Sequence, residues 1–205
     1  MDGERSGSWG HGAKPLALLA RLATDVPAAL DTTQLVDAVL ATLLDEAGFG
    51  SCTVGLVNET LDAIRLVGAA GIRATDKGLD IPRGRGLDWT VVESGEPLYV
   101  PDMLDDARVW RQHAGVRSGI YAPLVIRRGV IGAVSAHRTG VDGFTSDDLD
   151  VLTVIAQYLA AAFEVTRLHD QLREAPASNA LPRLPNRRCI TVPRRAGRHR
   201  ARRLR

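Results

Sequence analysis

The chain has 205 residues, 45% of them hydrophobic, which is enough for one domain with its own core and excludes a wholly disordered protein. Its net charge of +2 is distributed unevenly along the chain. Residues 176–205 hold ten Arg and no acidic residue, whereas the other residues hold 16 basic and 24 acidic side chains. The acidic body excludes a polyanion-binding face, and two distant cysteines, Cys52 and Cys189, exclude a disulfide framework or a cysteine-based metal site.

Targeting signals are not predicted. Residues 1–14 are polar, rich in Gly and Ser, and lack the apolar core of a secretory leader, so we expect a disordered segment there. No apolar run reaches the ~18–20 residues that span a bilayer without an interrupting Arg, Gly or Asp. We therefore expect a cytoplasmic protein without a membrane partner.

Two helices are predicted before the first strand. Residues 15–30 are assigned to a short helix that begins at Pro15, followed by a linker containing Pro27. A stronger helix is predicted from Asp31 to Ala47, with Asp31 as its N-cap and Gly48 ending it. Its apolar residues recur at three-and-four spacing and form one stripe: Leu35, Val36, Val39, Leu40, Leu43 and Leu44.

The middle of the chain follows a β pattern interrupted by one short helix. The predicted strands are Ser51–Val57, Ala63–Ala70, Pro97–Val100, Gly119–Ile126 and Val130–His137. The segment Gly71–Pro82 is predicted as a loop and Leu87–Ser94 as a helix. Short turns join the first two strands and the last two, which favours antiparallel pairing.

A long helix is predicted from Ser146, its N-cap, to about Arg173. Leu168 and Leu172 continue its apolar face beyond the length needed to cover a sheet, so we predict a homodimer through residues 146–172. Pro176 ends the helix, and residues 173–205 are predicted to be a disordered tail rich in Arg and Pro. The fold class is therefore α+β, with a central antiparallel sheet of five to six strands flanked by helices and with long N- and C-terminal helices.

Residues 31–172 resemble a GAF domain. Four segments carry the resemblance in the family's order: Gly86–Pro97 with Tyr99–Asp102, then Val116–Leu124, then Gly129–Val134, then Phe144–Leu149. Gly86 and Gly95 allow the chain to turn into and out of a helix, and Pro123 requires a bulge or an edge because it lacks an N–H.

The resemblance implies a ligand pocket between the sheet and the segment from Asp102 to Arg117. The candidate ligand-binding residues are Trp89, Tyr99, Asp102, Trp110, His113, Arg117, Ser118 and Tyr121. Arg117 would hold an anionic group, and Tyr121 would stack or donate a hydrogen bond. The implied ligand is a small-molecule regulator such as a cyclic nucleotide, and no cofactor is assigned.

Two alternatives remain open. Some GAF sensors hold haem through one histidine, for which His113 is the best-placed candidate. Others are free methionine sulfoxide reductases, which use several cysteines, whereas Cys52 is the only cysteine in the body. We therefore expect a domain that catalyses nothing itself.

The tail holds a second resemblance. Asn179–Arg188 resembles the opening of a diguanylate cyclase domain, with Asn179, Pro182 and Arg183 departing from its usual pattern. The Gly-Gly-Asp/Glu-Glu-Phe signature of that family is not present, so we expect the sensor half of a sensor–cyclase arrangement without its catalytic half. The tail has no aromatic residue for stacking on bases, and we expect it not to bind nucleic acid.

Overall fold

A computed structural model describes residues 32–45 and 47–174, and only the backbone in residues 169–174. The predicted elements at residues 1–31 and the cyclase-like segment at residues 179–188 lie outside this range. The described residues form three α-helices and six strands. The helices are α1 (Thr32–Asp45), α2 (Gly86–Ser94) and α3 (Ser146–Glu174). The strands are β1 (Ser51–Val57), β2 (Ala63–Gly71), β3 (Asp80–Pro82), β4 (Leu98–Val100), β5 (Ser118–Ile126) and β6 (Gly129–Arg138).

The strands form one sheet in the order β3-β2-β1-β6-β5-β4, and every neighbouring pair is antiparallel. This confirms the predicted α+β class. The segment predicted as a loop, 71–82, contains a short 3-10 helix (Ala74–Asp76) and the edge strand β3. Three residues ending in Pro82 are too few to produce a readable alternation, which is why the pattern missed this strand.

Side chains alternate between two buried faces of the sheet. On one face α1 and α3 cover Cys52, Val54 and Ile120. On the other face α2 and the neighbouring loops cover Ile64, Leu66 and other apolar residues. Each fully buried Leu or Ile contributes about 1.5–3 kcal/mol to folding. We call these the α1/α3 face and the α2 face.

Helix α2 is bounded by two glycines with left-handed backbone conformations. Gly86 has φ 79° and Gly95, the C-cap, has φ 70°. A side chain would strain the backbone at either position. The predicted roles of these two glycines at the start and end of the helix are therefore confirmed.

Pro123 lies in β5, paired with Ala133 of β6. Strand β4 pairs with β5 only as far as Tyr121, so no strand flanks Pro123 on that side. A register shift follows between Leu124 and Val125. These two features match the expectation that this proline sits at an edge or next to a bulge.

Helix α3 corrects one expectation about membranes. Its segment Ser146–Leu168 is long and apolar enough, by length and composition alone, to cross a bilayer. A core helix passes the same test, and here Leu152, Ile155 and Leu159 are fully buried against the sheet. The length and composition of this helix are thus weak support for a membrane span.

Candidate ligand-binding site

A small cavity lies on the α2 face, between the sheet and the loop that joins β4 to β5. Its volume is about 30 Å³, room for one or two water molecules. Its apolar lining comes from Leu79, Ile81, Gly86, Leu87, Met103 and Val109, and its polar or aromatic lining from Arg73, Asp88, Trp110, Arg111 and Tyr121. A narrow cavity therefore lies between the sheet and the segment from Asp102 to Arg117.

Buried polar side chains form a network beside this cavity. The Arg73 Nε donates a hydrogen bond to Asp76 Oδ2 over 2.9 Å, and its Nη1 lies 3.0 Å from His137 Nε2. The Tyr121 hydroxyl lies 3.2 Å from the same His137 nitrogen. All four side chains are buried, so an ion pair and two neutral polar groups share a low-dielectric site.

The network fixes the protonation of His137. Arg73 can only donate, so His137 Nε2 must present its lone pair, and the ring proton sits on Nδ1. Nδ1 can then donate to Ser51 Oγ, which lies 3.3 Å away. Burial, together with the charge of Arg73, holds the pKa of His137 well below its usual value. His137 is thus a neutral imidazole at physiological pH.

His113 approaches the same ion pair from the β4–β5 loop. Its Nε2 lies 3.2 Å from Asp76 Oδ2, but the geometry does not form a hydrogen bond. Burial lowers the pKa of His113, and the charge of Arg73 lowers it further, against the opposing charge of Asp76. His113 packs against the network and does not line the cavity.

Asp88 stands in the first turn of α2 and lines the cavity. Its side chain is 5% exposed, and its Oδ1 has no hydrogen-bond partner. Burial raises the pKa of Asp88, against the charge of Arg73 and a backbone hydrogen bond. Asp88 Oδ1 is therefore the one buried carboxyl oxygen among the described residues that has no hydrogen-bond partner from the protein.

Trp110 separates the cavity from an open groove. The groove has a volume of about 250 Å³ and is lined by Gly84, Arg85, Thr90, Ala107 and Arg108. Cavity and groove share Gly86, Val109 and Trp110 as walls. Trp110 is 37% exposed and is the largest of the three residues that line both spaces.

Two predicted site residues hold the loop that carries Trp110. Arg117 Nε donates to Asp102 Oδ1 over 3.1 Å, and its Nη2 donates to Asp102 Oδ2 over 2.5 Å. The Met103 N–H also donates to the Arg117 carbonyl over 2.6 Å. These bonds join the two ends of the loop, and neither Asp102 nor Arg117 lines the cavity.

The other predicted residues lie outside the cavity. Trp89 is buried, and its Nε1 donates to the Ile81 carbonyl over 2.9 Å, which attaches α2 to β3. Tyr99 packs on the α1/α3 face, and Ser118 accepts a hydrogen bond from the Gly143 N–H at 3.2 Å. Of the eight predicted residues, Trp110 and Tyr121 line the cavity. A ligand-binding role for any of the eight stays a prediction.

Sequence reasoning missed Arg73, Asp76 and Asp88. Arg73 and Asp76 lie in a stretch that resembled an ordinary polar loop. Asp88 had a readable signal, because Val91 and Val92 follow it by three and four residues and place it on a buried face of α2. Ser135 and His137 stand two residues apart in β6, so they face the same side of the sheet, and both are buried.

Cys52 lies away from this site. It is fully buried on the α1/α3 face, opposite the cavity. Burial raises its pKa far above the usual range for a thiol. Cys52 is therefore a small core residue and is not placed to react with a molecule in the cavity.

Neither a metal nor haem fits the described site. No group of three or more His, Cys, Asp or Glu side chains within residues 32–45 and 47–174 is arranged to hold a metal ion. His113 contacts Asp76, and the cavity has room for only one or two water molecules, far less than a porphyrin needs.

Solved structures share this fold. The GAF domain of a phosphoenolpyruvate-protein phosphotransferase from Coxiella burnetii matches with a TM-score of 0.69 and 18% identity, over 77% of this chain and 96% of that one. The GAF-B domain of DevS from Mycobacterium smegmatis matches with a TM-score of 0.58 and 19% identity, over 69% and 99%. At these identities the likeness shows the fold alone.

Enzymes also share the fold, which corrects an expectation. The free methionine-R-sulfoxide reductase from Neisseria meningitidis, solved with its substrate, matches with a TM-score of 0.65 and 21% identity, over 79% of this chain and 97% of that one. The expectation that this domain catalyses nothing itself, which was based on the single cysteine of the body, is therefore wrong, because the same fold supports catalysis in this neighbour.

The sequence comparisons cover the body of the chain. No curated protein matches it. The diguanylate cyclase resemblance at residues 179–188 lies outside both the described residues and the matched span, and no comparison supports it. The profile of the GAF domain family matches residues 29–164, two-thirds of the chain. Given this match and the antiparallel sheet with its covered cavity, the chain belongs to the GAF domain family.

Proposed function

We propose that this GAF domain is a sensory module of signal transduction that binds a small-molecule regulator in the cavity beneath Trp110. The observation that carries the proposal is a largely apolar cavity into which a few polar side chains converge, among them Asp88 with its unpartnered Oδ1. Such convergent polar groups in an otherwise apolar pocket are typical of ligand sites. A cyclic nucleotide is one candidate regulator.

Trp110 controls access in this proposal. The inner cavity of about 30 Å³ is too small for a metabolite, whereas the groove of about 250 Å³ outside Trp110 is not. Displacing the indole would join the two volumes and expose Asp88 and Tyr121 to the ligand. Binding would thus select a conformation of the β4–β5 loop in which Trp110 has moved.

Strand β5 offers a route from the cavity to α3. Tyr121 lines the cavity, and its neighbours Ile120 and Ala122 face the opposite side, where α3 packs. A ligand that shifts β5 therefore also shifts the surface on which α3 rests. The final helix would pass this movement onward.

Ligand binding would in this way alter a homodimer interface formed by residues 146–172 of two copies of the chain. Val165 and Leu168 of α3 are 57% and 45% exposed. A separate groove of about 300 Å³ lies at the same end of α3, lined by Leu56, Ile131 and Phe163 among others but not by Val165 or Leu168. A second copy of α3 would cover this apolar surface.

The test is binding to the full chain. Thermal shift and tryptophan fluorescence would be measured with cyclic AMP, cyclic GMP, common nucleotides, free amino acids and methionine-R-sulfoxide. We expect at least one compound to raise the melting temperature, since a ligand at 100 times its Kd stabilises the folded state by about 2.7 kcal/mol. Consumption of methionine-R-sulfoxide, measured in parallel, would instead assign an enzymatic role that uses a thiol other than Cys52.

Trp110→Ala and Leu104→Ala form a matched pair for this test. Leu104 is 49% exposed in the same loop and lines neither the cavity nor the groove. The Trp110 variant should change the affinity at least tenfold, and the Leu104 variant should not change it. No stabilising compound, or equal affinity in both variants, would refute a site beneath Trp110.

A further inference from the structure

Met103 places a thioether in the wall of the cavity. It lies at the start of the β4–β5 loop, is 7% exposed, and lines the cavity together with Tyr121. Its Sδ lies 3.8 Å from the Tyr121 hydroxyl, beside Gly119, where an added Cβ would approach Sδ to 3.3 Å. A thioether is oxidised to the sulfoxide where an oxidant can reach it, so the chemistry of this sulfur depends on what the cavity admits.

The size of the cavity matches a molecule with two oxygen atoms. Its volume of about 30 Å³ has room for one or two waters, which suits hydrogen peroxide and is too small for a branched hydroperoxide. The cavity and the groove outside it share Trp110 as a wall, so a larger reagent would have to displace the indole. In so small a space a bound molecule contacts side chains on every wall.

Asp88 provides a proton donor in the same cavity. Its carboxyl is buried, and its Oδ1 has no hydrogen-bond partner from the protein. Burial raises the pKa of Asp88, so this carboxyl keeps its proton to a higher pH than an exposed aspartate does, and a protonated carboxyl can donate. Arg73 and Arg111 also line the cavity, and their positive charges favour an anion that develops there.

We propose that Met103 is a modification site, which hydrogen peroxide oxidises to the sulfoxide inside the cavity. The sulfur attacks one peroxide oxygen, so that an S–O bond forms and the O–O bond breaks. The departing hydroxide takes the proton of the Asp88 carboxyl and leaves as water. The carboxylate then removes the proton from the sulfur-bound hydroxyl, which restores the acid and leaves the sulfoxide. Sulfur loses two electrons and the peroxide is reduced to water.

The added oxygen would change the cavity from within. It converts an apolar side chain into a polar one and occupies space beside Tyr121, whose hydroxyl can donate to it. Because Tyr121 lies in β5, the modification acts on the strand against which α3 packs. The inference goes beyond the proposed binding of a regulator, since it requires the cavity but no metabolite.

Hydrogen peroxide and tert-butyl hydroperoxide test whether the cavity controls access to the sulfur. The full chain would be treated with each at pH 7 beside free methionine as a reference, and tandem mass spectrometry would quantify the tryptic peptide 86–108, which carries Met103. After division by the rate for free methionine, hydrogen peroxide should oxidise Met103 at least tenfold faster than tert-butyl hydroperoxide. Equal normalised rates, or no sulfoxide at Met103 once the free methionine is oxidised, would overturn the inference.

Trp110→Ala and Leu104→Ala test the wall of the cavity. Without the indole the cavity opens toward the groove, so the Trp110 variant should react with tert-butyl hydroperoxide at least tenfold faster at Met103 than the wild-type protein does. Leu104 lines neither space, so its variant should react like the wild type. A Trp110 variant that still discriminates fully between the two peroxides would contradict the assigned route.

Asp88→Asn tests the proton donor, and Asp105→Asn is its control. Asp105 is exposed in the β4–β5 loop and does not line the cavity, so its variant removes a carboxyl elsewhere in the same region. The Asp88 variant should slow the oxidation of Met103 by hydrogen peroxide at least tenfold, because an amide is a far weaker acid. The Asp105 variant should keep the wild-type rate. Equal rates in both variants would refute the role of Asp88.

A pH profile of the wild-type protein guards against a variant that fails to fold. The normalised rate at Met103 should fall as the pH rises through the elevated pKa of Asp88, because the proton donor is lost. The charged or titratable groups that face this carboxyl are Arg73 from the β2–β3 loop, Arg111 from the β4–β5 loop and Tyr121 from β5. A flat profile would contradict proton donation by Asp88.

The inference and the proposed function fail differently. Selective oxidation of Met103 by hydrogen peroxide, with no stabilising compound in the metabolite panel, would refute ligand binding and leave the modification site standing. A stabilising compound together with equal normalised rates for the two peroxides would refute the modification site and leave ligand binding standing.

Discussion

Two buried titratable side chains, His137 and Asp88, favour their neutral forms for the same reason and yet affect stability in opposite directions. Burial lowers the pKa of His137 and raises the pKa of Asp88. The contribution of His137 to the free energy of unfolding is fully present above its unfolded pKa of about 6.5. This contribution is lost as the pH falls, because the unfolded chain binds a proton there that the folded chain does not. For Asp88, stability is lost as the pH rises through its elevated folded pKa.

The His137 effect predicts a slope between pH 6.5 and pH 5. There the free energy of unfolding of the wild-type protein should fall by up to about 1.4 kcal/mol per pH unit from this residue. His137→Gln should flatten the slope, even though losing the contacts to Arg73 and Tyr121 lowers its stability at every pH. Urea denaturation at half-unit pH intervals measures both curves.

His113→Gln is the control for this slope. Its pKa is also lowered, but it lies at a half-buried position, so its variant should flatten the slope less. Parallel curves for the wild-type protein and His137→Gln would contradict the assigned neutral state of His137.

At the scale of the elements, the start of α3 shows how a sequence pattern can be shifted by one residue. The helix begins at Ser146, the predicted N-cap, but Thr145 caps it. Thr145 Oγ1 accepts from the Asp148 N–H at 3.3 Å, and Asp148 Oδ2 accepts from the Thr145 N–H at 2.9 Å. This reciprocal pair is a capping box, and Arg138 Nη1 joins it at 3.1 Å from Asp148 Oδ2.

Replacing each candidate cap by alanine separates the two assignments. Thr145→Ala should lower the free energy of unfolding by about 1 kcal/mol, because the Asp148 N–H loses its partner. Ser146→Ala should change it by less than about 0.5 kcal/mol. Chemical denaturation at pH 7 measures both, and a larger loss in the Ser146 variant would restore the original assignment.

The predicted elements agree with the structure where local periodicity is strong. Strand β1 and helix α2 end at the predicted residues. Strand β5 begins one residue earlier than predicted, and β6 extends one residue further at each end. The 3-10 helix and β3 were missed because they are three residues long and depend on pairing with β2, a contact that no local pattern encodes.

At the scale of the whole molecule, the far end of α3 carries exposed apolar side chains. Its first half is buried against β5 and β6, whereas Val165 and Leu168 are exposed beyond the sheet. Leu172 lies where only the backbone is described. We retain the homodimer as a proposal, since pairing of two α3 helices would bury these side chains.

Val165→Glu should therefore dissociate the proposed dimer. A carboxylate at the centre of an apolar seam loses its solvation without gaining a partner. Val141→Glu, at a position 47% exposed in the loop after β6, is the matched control and should leave the assembly unchanged. Sedimentation velocity across a concentration series measures the mass, and a wild-type monomer at high concentration would refute the proposal.

The sequence by itself determined the order and type of the main elements and the class of the fold, because these follow from periodicities between near neighbours. Only the tertiary structure decided which polar side chains meet. His137 contacts Arg73 across 64 residues and Tyr121 across 16, and Asp88 joins their cavity from a separate helix. Such long-range contacts depend on the order of the strands and on how the loops fold over the sheet. A local sequence pattern carries no information about either.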